Sequence, residues 1–251
     1  MEGEPDDHLS LFRRIPAPAP TVEQSVVVDK LPDQIYRVLR HRIVHGTMAA
    51  GSRISVGDLT AEFGTSKTPV REALNRLEYD QLIVTRPRSG TFVAQPTTAD
   101  VVEVCQLRKG IEWVATGLAA RTMPVALLRD LREEITEAAR SAEQGDFEPF
   151  FDSDFKLHSV IVEHAGNKRL VRARSSVEPF VQWLRVLGAT GPHRIAGSTR
   201  RHLEIVDAML ARDADAAMSA AALHIDEVQR WTVEDPGPAR ATTNQERDHD
   251  P

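Results

Sequence analysis

Cysteine is nearly absent from this chain: 251 residues contain one, Cys105. A single thiol excludes an internal disulfide framework and a cysteine-cluster metal site. Aromatic residues make up only 5%, so a pocket walled by rings is not expected. No apolar run reaches the roughly 18 residues that a membrane-crossing helix needs. The first ten residues, MEGEPDDHLS, are acidic and lack an apolar stretch, so they do not read as a signal peptide. A cytoplasmic location is expected. The rest is ordinary: 41% hydrophobic and 27% charged describes a globular protein and excludes collagen-like, wholly disordered and coiled-coil classes. At about 100–200 residues per domain, there is room for one large or two modest domains.

The net charge of −6 argues against a polyanionic partner only if it is evenly spread. Residues 24–95 are net positive, whereas 1–23, 96–231 and 232–251 are each net negative. A basic module beside an acidic one points to a polyanion-binding part and a separate second part.

Four regions are expected. Residues 1–23, acidic and carrying Pro16, Pro18 and Pro20, read as a disordered tail, and so do 232–251. Within 24–95 a helix is predicted over 31–46, with Leu31, Ile35, Val38, Leu39 and Ile43 on one face and Gly46 ending it. The stretch 46–53 reads as a loop. Ser55 and Asp58 have capping-box spacing for a short second helix, which Gly64 stops. Ser66 is the expected cap of a third helix running to about Asp80. Residues 83–85 and 91–93 read as strands joined by the turn Pro87–Gly90. This order is that of a winged helix-turn-helix. Residues 96–231 show helical periodicity over 99–122, 124–144, 147–164, 167–188, 198–212 and 213–231, which implies an antiparallel all-helical bundle. The fold class is therefore mainly α.

Ser66, Lys67, Thr68 and Arg71 open the third helix. Lys67 and Arg71, four residues apart, share a polar face, while Val70, Leu74 and Leu77 point inward. A helix start of this kind suits the DNA major groove, with arginine reading guanine edges and lysine and hydroxyls holding phosphates. Arg86 and Arg88 flank the hairpin tip, and Gly90 lets backbone approach a phosphate or the minor groove. A plain solvated basic face is the competing reading; the order of elements favours DNA. Arg76 reads equally as a phosphate contact or as packing along the helix.

In the second part, Asp154 and His158 are four residues apart on one predicted helix. His202 and His224 lie mid-helix on two others. Imidazole and carboxylate are ligands for zinc, nickel or manganese, and three helices of a bundle can aim such groups at one interior point. From spacing alone, an intrahelical surface pair, an exposed His202 and a core His224 explain the same residues.

Residues 31–93 resemble the DNA-binding domain of GntR-family transcriptional regulators. The matching stretches are "IYRVLRHRIVHGTMAAGSRIS", "SKTPVREALNRLE" and "RPRSGTFV". The family usually has arginine where Lys67 stands and glycine where Gln81 stands. Residues 100–231 resemble the FCD effector domain of the family's FadR-type branch, through "LRKGIEWVATGLAA", "DSDFKLHSVIVEHAGNKRL", "STRRHLEIVDAMLARDADAA" and "LHI". The resemblance implies a divalent metal, zinc first, at Asp154, His158, His202 and His224. It also implies a ligand carboxylate at Arg108, although Glu112 offers Arg108 a plain helix salt bridge. Asn167 matches as a helix cap.

What this implies is a ligand-responsive repressor: a homodimer on a pseudopalindromic double-stranded operator, with recognition helices about 34–36 Å apart and a small carboxylate as effector. The Asp/His set argues against a fatty acyl effector, which needs a long apolar cavity. Two alternatives stand beside it. One is a metal-dependent enzyme built on the same four groups, for which no general base is evident. The other is a regulator whose metal is structural. Cys105 reads as core packing, with a redox role the alternative.

Overall fold

The computed structural model describes residues 29–188 and 192–234. The predicted tail 1–23 and most of 232–251 lie outside these. The first elements are α1 (Leu31–Val44), β1 (Arg53–Ile54), α2 (Val56–Glu62), α3 (Lys67–Tyr79), β2 (Ile83–Arg86) and β3 (Gly90–Val93). The helices α4 (Thr98–Thr122), α5 (Val125–Glu143), α6 (Glu148–His164), α7 (Lys168–Gly188), α8 (Pro192–Leu210) and α9 (Ala214–Glu234) follow.

The apolar stripe of α1 closes on α3, with Ile35, Leu39 and Ile43 against Val70, Leu74 and Leu77 in one core. Ser55 caps α2 by accepting a hydrogen bond from the Asp58 amide at 3.2 Å. β1 is a correction to the loop expected over 46–53. It pairs antiparallel with β3, Arg53 opposite Phe92, giving the strand order β1-β3-β2. Two residues are too few to show alternation, and their partner lies far away in sequence.

The bundle begins with a full capping box, in which Thr97 and Asp100 each accept the other's backbone N–H. Asn167 caps the start of α7 as expected and Asp213 that of α9, accepting from the Arg169 and Ala216 amides, each at 2.9 Å. α8 starts at Pro192, not near 198. Pro is suited to a first helical position, and Gly197 lies inside the helix. A Cβ there would sit 2.5 Å from the Trp231 ring, so the glycine permits helix packing. α9 runs to Glu234, three residues into the expected tail. One apolar core joins α5, α6, α8 and α9 through Leu131, Ile135, Leu157, Ile161, Ile205, Met209 and Ala217. A second is continuous from the winged helix into Val101 and Val104 of α4 and Phe180, Val181 and Trp183 of α7. No described helix is long and apolar enough to cross a membrane.

Candidate functional site

Two sites emerge, one at each end of the chain. At the first, Lys67, Thr68 and Arg71 stand exposed on the outer face of α3, opposite buried Val70, Ala73, Leu74 and Leu77. Ser66 occupies the N-cap position, yet its hydroxyl makes no capping bond. That hydroxyl and the free amides of the first turn face outward together. Arg86 and Arg88 are exposed on the hairpin, the Arg86 guanidinium 5.2 Å from the Phe92 ring centre. Arg88 has φ +64 and Gly90 φ +116. A Cβ on Gly90 would press on Arg53 Nε at 3.2 Å. Arg53, exposed on β1, thus joins the hairpin's cationic surface, which the loop reading had hidden. Arg76 is committed to packing: it lies 4.2 Å from the centre of the Tyr36 ring and pairs with Asp33. Gln81 has φ +61, the left-handed region that favours glycine.

At the second site, Asp154, His158, His202 and His224 are all buried, and one ligand atom from each lies within 4.8 Å of the others. His224 Nε2 is 3.2 Å from His158 Nε2 and 3.3 Å from His202 Nε2. Asp154 Oδ1 is 3.2 Å from His202 Nε2 and 3.6 Å from His158 Nε2. Ligand atoms about 2.0–2.2 Å from one metal stand roughly 3.3–3.6 Å apart in a tetrahedron. Converging imidazole nitrogens make a poor hydrogen-bond network, since each pair offers lone pairs or protons to each other. They make a good ligand set. Glu112 Oε2, 2.6 Å from His158 Nδ1, orients that ring, as carboxylates do behind metal-binding histidines. His202 is therefore buried rather than exposed, and His224 is a core histidine that belongs to one converging cluster.

Around it lies a buried charge network that the sequence had not revealed. Arg108 Nε donates to Glu112 Oε1 at 2.7 Å and Arg174 Nε to the same oxygen at 3.0 Å. Arg174 also pairs with Glu178, and Arg185 Nη2 is 2.7 Å from Asp154 Oδ2. Burial alone would raise the Asp154 carboxyl; Arg185, with the His158 and His202 hydrogen bonds, holds it well below its ordinary value. Glu112 is likewise lowered against burial, by Arg108, His158 and Arg174. Burial pushes His202 and His224 down, the latter strongly, with the neighbouring histidines adding to the effect. Neutral imidazole is the form that binds metal. Arg174 is pushed down to about 10 by burial and stays protonated near neutrality.

Beside the cluster is a cavity of about 60 Å³ lined by Arg108, Asp154, Arg185, Arg194 and Ser198 on its polar side. Arg108 is 3% exposed, and its Nη2 has no hydrogen-bond partner. The two readings of Arg108 thus coexist: Nε serves Glu112, and Nη2 is left over. Phe150, Phe151 and Trp231 also line the cavity. This corrects the expectation from composition, because three of the few rings stand on this wall. Cys105 lines the same cavity at 5% exposure, its thiol raised by burial, which fits packing. Glu112 had been weighed only as a salt-bridge partner, and Arg174, Glu178 and Arg185 had not been singled out. Their signal was the i,i+4 spacing of Arg174 and Glu178 on α7.

Residues 31–93 match the family described as bacterial regulatory proteins, gntR family, and residues 103–227 match the FCD domain. A probable D-xylose utilization operon transcriptional repressor from Paenarthrobacter nicotinovorans is 30% identical over 183 residues, 73% of this chain and 80% of that one. The HTH-type transcriptional repressor RspR of Escherichia coli (strain K12) is 28% identical over 195 residues, 78% of this chain and 86% of that one. Among solved structures, a putative GntR transcriptional regulator from Rhodococcus sp. RHA1 superposes with a TM-score of 0.65 at 22% identity, covering 79% of this chain and 95% of that one.

Proposed function

The chain belongs to the GntR family of bacterial regulatory proteins and carries an FCD domain, so it is a DNA-binding transcriptional regulator rather than an enzyme, and we propose that it is a homodimeric repressor released or retained by a small carboxylate. Residues 24–95 would bind a pseudopalindromic operator, with Ser66, Lys67, Thr68 and Arg71 in the major groove and Arg88 and Gly90 on the flanking backbone. Residues 96–231 would sense the effector. Two similar proteins bear the name repressor, which supports that sign of regulation.

The observation that carries the effector class is the charge count around the cavity. Arg108, Arg174 and Arg185 balance Glu112, Asp154 and Glu178, and buried Arg194 adds a further positive charge to the cavity wall. A divalent ion, zinc before nickel or manganese, held by Asp154, His158, His202 and His224 would add two more positive charges to this buried site. An anionic ligand neutralises them, and Arg108 Nη2 is the spare donor that would receive its carboxylate. About 60 Å³ amounts to roughly four to six water-sized volumes, enough for a small acid and too little for an acyl chain.

The route to the DNA-binding part is α7. It carries Arg174, Glu178 and Arg185 to the site, while its Gln182 accepts a hydrogen bond from Arg40 of α1. Phe180 and Trp183 are packed into the core of the winged helix. Thermal melting of zinc-loaded protein against a panel of small carboxylic acids, repeated after chelation, tests the reading. An acid-specific rise in melting temperature that chelation abolishes is expected, together with altered operator binding by fluorescence anisotropy. No acid-dependent rise in loaded protein would overturn it.

A further inference from the structure

Where the winged helix meets the bundle, α1, α6 and α7 enclose an open groove of about 320 Å³. It is separate from the metal cavity and has no part in the reading given so far. Arg40 reaches it from α1, Phe155 and Glu163 from α6, and Arg174, Ser175 and Pro179 from α7. Phe155 is 39% exposed, a large ring for such a position.

Three polar groups on these walls are short of a partner, each for a local reason. Arg40 donates Nη2 to Gln182, while its Nε is buried with no hydrogen bond. Arg174, 4% exposed, commits Nε to Glu112 and Nη1 to Glu178, and its Nη2 is left buried and unpaired. Pro179 stands inside α7 and has no N–H, so the carbonyl of Ser175, four residues earlier, loses its helical donor. Buried polar atoms without partners are rare and costly. Several along one groove mark a place where a ligand completes the set.

The charges say what kind of ligand. Arg40 and Arg174 bring two positive charges to the groove, Glu163 and Glu178 two negative ones. Glu178 is engaged by Arg174 and Arg185, whereas exposed Glu163 has no ion pair among the described residues. A bare anion would be repelled by the carboxylates and a bare cation by the guanidiniums. A molecule with a carboxylate and an ammonium close together meets both. The spare guanidinium N–H groups suit the carboxylate. The Ser175 carbonyl and Glu163 suit the ammonium, which has three donors and no acceptor. Phe155 offers apolar contact to whatever lies between.

We propose that this groove is a second ligand site, for a free α-amino acid with an apolar side chain. Its carboxylate is held by Arg40 Nε and Arg174 Nη2, and its ammonium by the Ser175 carbonyl and Glu163. The proposal goes beyond the small-acid reading and does not depend on it. Arg40 belongs to the winged helix and the other groups to the bundle, so an occupant ties the two parts together and gives the regulator a second input.

Isothermal titration calorimetry on the zinc-loaded full chain, with L-leucine, L-methionine and L-phenylalanine, tests it. At least one is expected to bind at one site per chain. Its N-acetyl and amide derivatives, which each lack one of the two charges, are expected to bind at least tenfold more weakly. R40Q, with unchanged far-ultraviolet circular dichroism, is expected to weaken the amino acid about ten- to hundredfold. E163Q changes an exposed position that folding does not need; it is expected to weaken the amino acid about threefold and to leave the N-acetyl derivative unaffected. No binding by any of the three, an N-acetyl derivative as tight as its parent, or full affinity in R40Q would each overturn the site. None of these results bears on the small acid, which is read through Arg108.

Discussion

Replacing Arg108 by lysine keeps a positive charge beside Glu112 but removes the fork. In the native protein Nε is spent on Glu112 at 2.7 Å and Nη2 is spare. A lysine ammonium is a single point charge; sitting on Glu112, it cannot also meet a ligand in the cavity. Glu112 is not stranded, since Arg174 Nε and His158 Nδ1 remain at 3.0 and 2.6 Å. The cost to the ligand-free fold is therefore about 1 kcal/mol, near the net worth of one hydrogen bond. For ligand binding, the lost contact is a charged hydrogen bond, worth about 1.5–3 kcal/mol, or roughly a ten- to hundredfold weaker Kd. At an acid concentration a hundredfold above the native Kd, binding stabilises the protein by about 2.7 kcal/mol; with Kd raised thirtyfold, that falls to about 0.9 kcal/mol. At about 2–4 °C per kcal/mol for a chain of this size, the ligand-induced rise in Tm drops from roughly 5–11 °C to 2–4 °C. Differential scanning fluorimetry with zinc-loaded protein reads this directly. An R108K protein whose acid-dependent shift equals that of wild type would refute the role given to the spare Nη2.

Chelation should leave the bundle helical at 25 °C, because the core of Leu131, Leu157, Ile205 and Met209 does not depend on the metal; circular dichroism that collapses on chelation would make the metal structural. Lys67→Ala with Arg71→Ala should weaken operator binding by at least tenfold and flatten the salt dependence by about one unit per lost phosphate contact, measured by anisotropy across a salt series; unchanged affinity would remove α3 as the reading helix. Gln81→Gly should raise stability by about 0.5–1 kcal/mol in urea denaturation, since φ +61 strains a residue with a Cβ; a loss of stability would mean that the Gln81 side chain outweighs the strain. Gln182→Ala should leave operator affinity and acid affinity near native when each is measured alone, while shrinking the effect of one on the other; undiminished coupling would take Gln182 out of the signal path.

The winged helix was largely legible because its stripes are regular: Ile35, Leu39 and Ile43 on one helix, Val70, Leu74 and Leu77 on another. β1 was not, because a two-residue strand has no period and exists only through its pairing with β3. The first turns of α8 were missed: Gly197 breaks their apolar pattern in sequence, and its bare Cα is what lets Trp231 pack. Ser66 was placed at the right position, yet the expected capping bond is missing. At the buried site, Asp154, His158, His202 and His224 were recognisable by type, and their convergence needed the fold. Arg174 and Arg185 were harder to see: a charged residue on a helix is usually solvated, and only the closure of α6 and α4 over α7 buries these two. Composition failed for the cavity wall, because a low average says nothing about where Phe150, Phe151 and Trp231 are placed.

The same burial explains why the site is suited to signalling. Arg185 reaches Asp154 from α7, and Arg174, on the same helix, reaches Glu112 on α4. On the proposed reading, an anion entering the cavity would compete with Asp154 for Arg185 and draw on Arg108, and so would change the forces on both helices at once. Neither helix can absorb the change locally. Trp183 is 1% exposed and Val101 fully buried, in a core shared with α1 and α3, and packed interiors shift between discrete arrangements rather than deform smoothly. On the proposed reading α7 would pass the ligand's effect to α1, which packs in turn against α3, the helix that presents Lys67 and Arg71. A difference of only about 1–3 kcal/mol in ligand affinity between the two arrangements changes operator affinity roughly 5- to 150-fold.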